Sequence, residues 1–126
     1  MRKCFRGGQE GGRGFWAVVD ILELLILRLL MERDYHGYEI FTFLEEKFPE
    51  FAPFRGLFAR GIGFRILIMM EEQGLITSVW EVGEGPGRRV YRITDIGKKE
   101  FEALLKEFRG NLENLKKIAD FLEGQN

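Results

Sequence analysis

Residues 75–94 read LITSVWEVGEGPGRRVYRIT. Two runs rich in β-branched and aromatic residues, Leu75 to Val82 and Arg88 to Ile93, flank Gly83-Glu84-Gly85-Pro86-Gly87. Runs of that kind favour strands, and a Gly/Pro cluster between them can only turn. In the second run Val90 alternates with Arg89 and Tyr91, as one face of a strand requires. The stretch is therefore a β-hairpin with a long, glycine-rich tip. The tip lacks both a lysine and a following helix, so it is no phosphate loop. Thr94 supplies a helix N-cap and Asp95 places an acid in the first turn, where the helix dipole favours it.

Downstream, one helix is predicted over 95–122. Phe101, Leu104, Phe108, Leu112, Leu115, Ala119 and Leu122 recur at steps of three and four and form one stripe. At 1.5 Å per residue such a helix spans about 42 Å. The preceding chain makes a globule only about 30 Å across. The helix overhangs its own domain, and its stripe needs a second surface, most simply the same helix of another copy. Gly110 is its weak point.

Upstream, residues 15–31 read FWAVVDILELLILRLLM. Asp20, Glu23 and Arg28 argue against a membrane span and fall on one narrow stripe of a helix that is otherwise apolar. Asp34-Tyr35-His36-Gly37 breaks the pattern, with His36 ordering the turn. A second helix follows over about 38–48, where Ile40, Leu44 and Phe48 recur every four residues. Pro49 and Pro53 mark a loop whose Phe51, Phe54 and Phe58 are expected to pack in the core rather than line a pocket. A third helix is predicted over about 61–73, stopped by Gly74. The fold class is thus mainly α with a small β-hairpin. The order is three helices, a two-stranded wing and a long terminal helix.

The chain has 126 residues, and 19 Lys and Arg against 20 Asp and Glu leave a net charge of -1. The distribution is uneven. Residues 1–16 hold four bases and one acid, 17–54 hold three and eight, 55–93 hold six and four, and 94–126 hold six and seven. All six bases of the third segment are arginines, the side chain whose planar fork suits phosphates and guanine edges. The one cysteine, Cys4, excludes an internal disulfide and a multi-cysteine zinc site, and makes a reducing, cytoplasmic setting the default. The one histidine, His36, has no second histidine or cysteine near it for a metal. No nucleophile–base pair and no phosphate cradle is present, so no enzyme is expected and no cofactor is implied. The Arg/Gly-rich residues 1–14 read as a flexible arm, residues 15–93 as a winged helix-turn-helix and residues 94–126 as a dimerisation helix.

Several segments together resemble one family. ILRLLMERDYHGYEIFTFLEEKF contains His36-Gly37-Tyr38-Glu39. Gly61 is followed by Phe64-Arg65-Ile66-Leu67, then by Met70-Glu71-Glu72-Gln73-Gly74-Leu75-Ile76. Trp80-Glu81, the glycine-rich tip, Arg88 to Thr94 and Gly97 complete the set. In order and spacing these are similar to the PadR family of transcriptional regulators, over roughly residues 20–122. The resemblance implies a homodimer that sets two recognition helices in successive major grooves of double-stranded DNA, about 34 Å apart. It places the start of the recognition helix at Gly61 to Arg65 and puts Arg88 and Arg89 in the wing. The DNA-contacting set it implies is Arg60, Ile62, Phe64, Arg65, Arg88 and Arg89. The dimer set is Trp16, Leu24, Phe101, Leu104, Phe108, Leu112, Leu115 and Leu122. Trp16, Phe101 and Phe108 are the candidates to hold a small hydrophobic effector that releases a repressor from DNA.

The departures fall in the recognition helix. Where the family usually shows Gly-Thr-aliphatic-Tyr, this chain has Gly61-Ile62-Gly63-Phe64, and Ile68 and Met69 stand where basic or polar residues are common. Each lost phosphate contact lowers the salt slope of binding by about 0.9. The expected footprint is wing and arm first, recognition helix second. The alternative is a winged-helix protein-interaction module in which Ile62, Phe64, Ile68 and Met69 form an apolar patch.

Overall fold

A computed structural model describes residues 18–51, 54–56, 61–83 and 87–125. Its elements run α1 (Val18–Glu32), β1 (Tyr35–His36), α2 (Gly37–Lys47), α3 (Ile62–Glu72), β2 (Ile76–Glu81), β3 (Arg88–Ile93) and α4 (Asp95–Leu122). The predicted helices and hairpin are all present, as a mainly α winged-helix architecture with a long last helix. One element is new. Tyr35 and His36, read as a plain break, form a short strand on the free edge of β3, so the wing is part of a three-stranded antiparallel sheet of order β1-β3-β2. Tyr35 pairs with Tyr91 and His36 with Val90, while Ser78 pairs with Tyr91 and Trp80 with Arg89 on the other side.

The core is one cluster. Leu22, Ile26, Leu27 and Leu30 of α1 meet Ile40, Phe41 and Leu44 of α2, Ile66, Leu67 and Met70 of α3, and Tyr91 and Ile93 of β3. The polar stripe of α1 divides. Arg28 is exposed and pairs with Glu32 at 2.7 Å, whereas Asp20 and Glu23 are buried with the apolar residues. In the long loop Phe54 is buried and packs in the core as expected, whereas Phe51 stays exposed, and Phe48 and Phe51 lie edge-on against Phe54 at ring distances of 6.0 and 4.7 Å. Phe58 lies outside the described residues.

Two glycines fix how α3 is seated. Gly74 follows the helix at φ 80°, a left-handed conformation that L side chains rarely adopt, and thereby ends it before β2. Gly63 lies under the ring of Phe41, where a Cβ would come within 2.4 Å of the ring. A side chain at 63 and a phenylalanine at 41 exclude one another. The glycine that departs from the family pattern is thus the space that Phe41 fills.

The start of α4 is bolted to the sheet. The Thr94 hydroxyl accepts the backbone N–H of Gly97 at 3.0 Å and lies 2.6 Å from the Gly74 carbonyl, to which it donates, as the N-cap reading requires. Phe101 and Leu104 then pack into the core, and Leu105 and Phe108 lean on it. Beyond them the helix leaves the domain, with Leu112, Leu115, Ile118, Phe121 and Leu122 all exposed. No helix among the described residues is long and apolar enough to cross a membrane.

Candidate nucleic-acid interface

The outward face of α3 follows from its burial pattern. Gly63, Ile66, Leu67 and Met70 point into the core. At 100° per residue the opposite crest carries Arg65, Ile68 and Glu72, all three exposed. Ile62 and Met69 flank one side of the crest, half-buried, and Phe64 and Glu71 flank the other. That second flank faces the wing. Phe64, Ile68 and Glu71 of α3, with Trp80, Arg88 and Arg89 of the hairpin and Tyr38 at the start of α2, line a groove of about 520 Å³.

A chain of polar contacts holds the wing to the helix. Ser78 Oγ lies 3.1 and 3.0 Å from the two Glu71 carboxylate oxygens and donates to them. Arg89 donates to Ser78 Oγ at 2.9 Å, and its guanidinium lies 5.1 Å from the Trp80 ring centroid. Arg89 is therefore an exposed cation held in place by a helix carboxylate, a hydroxyl and an indole.

A second tie runs through the lone histidine. His36 caps α2, and its backbone N–H donates to Glu39 Oε1 at 2.8 Å. Its ring nitrogens face two carboxylates, with Nδ1 3.1 Å from Glu39 and Nε2 2.9 Å from Glu81 at the end of β2. Two acceptors suit the doubly protonated ring. The hydrogen bond to Glu81, with help from Glu39, raises the His36 pKa above its ordinary value, against desolvation and the nearby Arg88. Glu39 is held below the ordinary carboxylate range, chiefly by the His36 backbone N–H. His36 thus does order the turn, and it also fastens the tip end of β2 to the start of α2, a role that nothing in the local sequence signals.

These contacts sort the arginines. Arg92 is committed to Asp34 through Nε at 3.1 Å and Nη2 at 2.9 Å. Arg33 lies over the Tyr35 ring and reaches Glu39 at 3.8 Å. Arg65 on α3 and Arg88 on the wing are exposed, and their guanidinium groups have no hydrogen-bond or ion-pair partner among the described residues. Arg65, Arg88 and Arg89 are the cations that this surface offers to a ligand. Arg60 lies outside the described residues. Phe64 sits edge-on to Phe41 at 5.8 Å, half-buried, so it braces the helix as well as lining the groove.

Three of the residues expected at the dimer contact are buried inside the chain itself. Leu104 is 1% exposed, Phe101 8% and Leu24 8%, because α4 packs its first three turns against α1 within the same chain. Those three are core residues of the protomer. Phe108 is half-buried on the edge of that core, and Leu112, Leu115 and Leu122 are open. Trp16 lies outside the described residues. Of the aromatics expected around an effector, Phe108 is the one with a described open face.

The model of the Transcriptional regulator PadR-like family matches residues 26–103, from the middle of α1 to the third turn of α4. The chain belongs to that family. Among solved structures, it is similar to a Thermoplasma acidophilum protein assigned as a transcriptional regulator, at 30% identity over 86% of this chain and 97% of that one, with TM-score 0.64. It is also similar to a PadR family transcription regulator of Clostridium difficile, at 28% identity over 82% of this chain and 98% of that one, with TM-score 0.58. Bacillus subtilis PadR, solved in complex with operator DNA, shares the fold at 24% identity over 68% of this chain and 47% of that one, with TM-score 0.54. The PadR-like architecture accounts for the seating of α3 beside a wing.

Proposed function

We propose that this PadR-like regulator binds double-stranded DNA sequence-specifically as a homodimer and represses transcription from the site it occupies. The observation that carries the reading is the outward crest of α3, with Arg65 on it, set beside a wing that holds Arg88 free and Arg89 anchored. A helix of 11 residues with no acid in its first turn presents its positive end and one cation together, the condition under which phosphate is attracted. The Bacillus subtilis relative, whose structure includes operator DNA, uses the same fold. A cytoplasmic setting goes with this function. Relief of repression by a small hydrophobic effector, bound against the half-buried Phe108, belongs to the same reading.

Salt titration tests it. If Arg65, Arg88 and Arg89 of two protomers each meet a phosphate, log K falls against log salt with a slope of about -5. Arg88→Ala removes two contacts per dimer and flattens the slope by about 1.8. A slope near zero, or equal affinity for a selected duplex and for random duplex, overturns the reading. The alternative, a protein-docking module, is favoured by the exposure of Ile68, Val79 and Trp80, and predicts that charge removal leaves partner binding unchanged.

A further inference from the structure

The crest of α3 combines a cation with a side chain that can make no hydrogen bond. Arg65 and Ile68 stand three residues apart on the same exposed face, and Ile68 is 54% exposed although its helix has an apolar core side to spare. A single exposed isoleucine is ordinary. Its setting is not. Phe64 lies beside it on the flank that faces the wing, Arg65 precedes it by nearly one turn, and Arg88 and Arg89 rim the groove that it shares with the wing. Cations on both sides draw a polyanion to this face, and Ile68 is the group that the polyanion then meets.

In a B-form major groove the base edges present hydrogen-bond donors, acceptors and one apolar feature, the C5-methyl of thymine. An isoleucine pressed against an amino or carbonyl edge strips water from it and returns nothing. Pressed against a methyl, it buries apolar surface on both partners. We propose that Ile68 is a specificity-determining residue that selects thymine by its methyl group. Its position follows from helix geometry. Three residues rise 4.5 Å along α3, against 3.4 Å per base pair, so the selected thymine lies within two base pairs of the nucleotide whose phosphate Arg65 meets. One turn further on the crest carries Glu72, whose carboxylate phosphates repel, so the reading segment ends at Ile68.

This inference rests on the DNA-binding reading, and its test separates the two. The full-length protein is used to select bound duplexes from a random pool, and each thymine of the selected half-site is replaced in turn by deoxyuridine, which lacks only the methyl. One position is expected to weaken wild-type binding about fourfold per half-site, the effect of one buried methyl group. Ile68→Ala binds the thymine and uracil duplexes equally, and Ile68→Val keeps a reduced preference for thymine. Alanine at this exposed site raises helix propensity, so the variant folds. If no deoxyuridine replacement weakens the wild type, or if Ile68→Ala retains the full fourfold difference, Ile68 does not read thymine although the protein binds DNA. If no duplex is selected at all, the DNA-binding reading itself falls, and the inference falls with it.

Discussion

His36 shows how one side chain can join two elements that are distant in the chain. Its ring is held between Glu39 of α2 and Glu81 of β2, 3 and 45 residues away. Because the folded-state pKa is raised, the protonated ring contributes stability that is fully present below the unfolded value of about 6.5 and is lost as pH rises through the folded value. Glu39 and Glu81 favour the charged ring, while Arg88 and partial burial oppose it, and Arg33 sits on the far side of Glu39. The expected outcome is a thermal midpoint that falls between pH 6 and pH 8.5 in the wild type and falls less in His36→Gln. Glu81→Gln, which removes the largest cause of the shift, behaves like His36→Gln. A wild-type midpoint that rises over this window, or curves for wild type and His36→Gln that run parallel, would show that His36 does not couple the tip end of β2 to α2.

At the scale of elements, what was legible in the chain depended on whether the cause was local. The α4 boundaries follow from the Thr94 cap and a periodic stripe, and β3 from alternation and the glycine cluster before it, and both sit where those signals put them. The cause of β1 is not local, since two residues become a strand only when β3 offers a free edge. The site divides in the same way. The sequence alone places Arg65, Arg88 and Arg89 on α3 and the wing, yet it does not show that Arg92 belongs to Asp34 or that Arg89 is steadied through Ser78 by Glu71. Those pairings join residues that are 58, 11 and 7 positions apart. The Gly63 departure has the same explanation, because its partner Phe41 lies on another helix. Gly63→Ala is expected to destabilise the fold by about 1–3 kcal/mol in denaturant titration, despite the gain of about 1 kcal/mol in helix propensity. Combining it with Phe41→Leu should cost at least about 1 kcal/mol less than the two single changes added together. Strict additivity would mean that the Phe41 ring does not set the α2–α3 spacing.

For the whole molecule, α4 is the feature that one protomer cannot satisfy. Its first three turns close the core over α1, and its last three carry Leu112, Leu115, Ile118, Phe121 and Leu122 into solvent. Five large apolar side chains on one overhanging helix form a patch of the kind that monomers rarely leave open, and the proposed homodimer would cover it with the same residues of a second copy. In the proposed homodimer the contact would therefore begin beyond Phe108, since Phe101 is buried inside the chain. That division makes a clean variant available. Leu115 is 60% exposed, so Leu115→Glu disturbs nothing inside the protomer but places two carboxylates in the contact. Sedimentation is expected to give twice 14.7 kDa for the wild type and to move toward 14.7 kDa for Leu115→Glu. Leu104→Ala, by contrast, opens a cavity in the core and should lower the thermal midpoint even where the dimer persists, at a cost of about 2–5 kcal/mol. A Leu115→Glu protein that stays dimeric would move the contact away from this stripe. If it becomes monomeric with its fold intact, it should bind one half-site at a time. The salt slope for DNA should then fall by about half, because only one α3 and one wing remain to displace counterions.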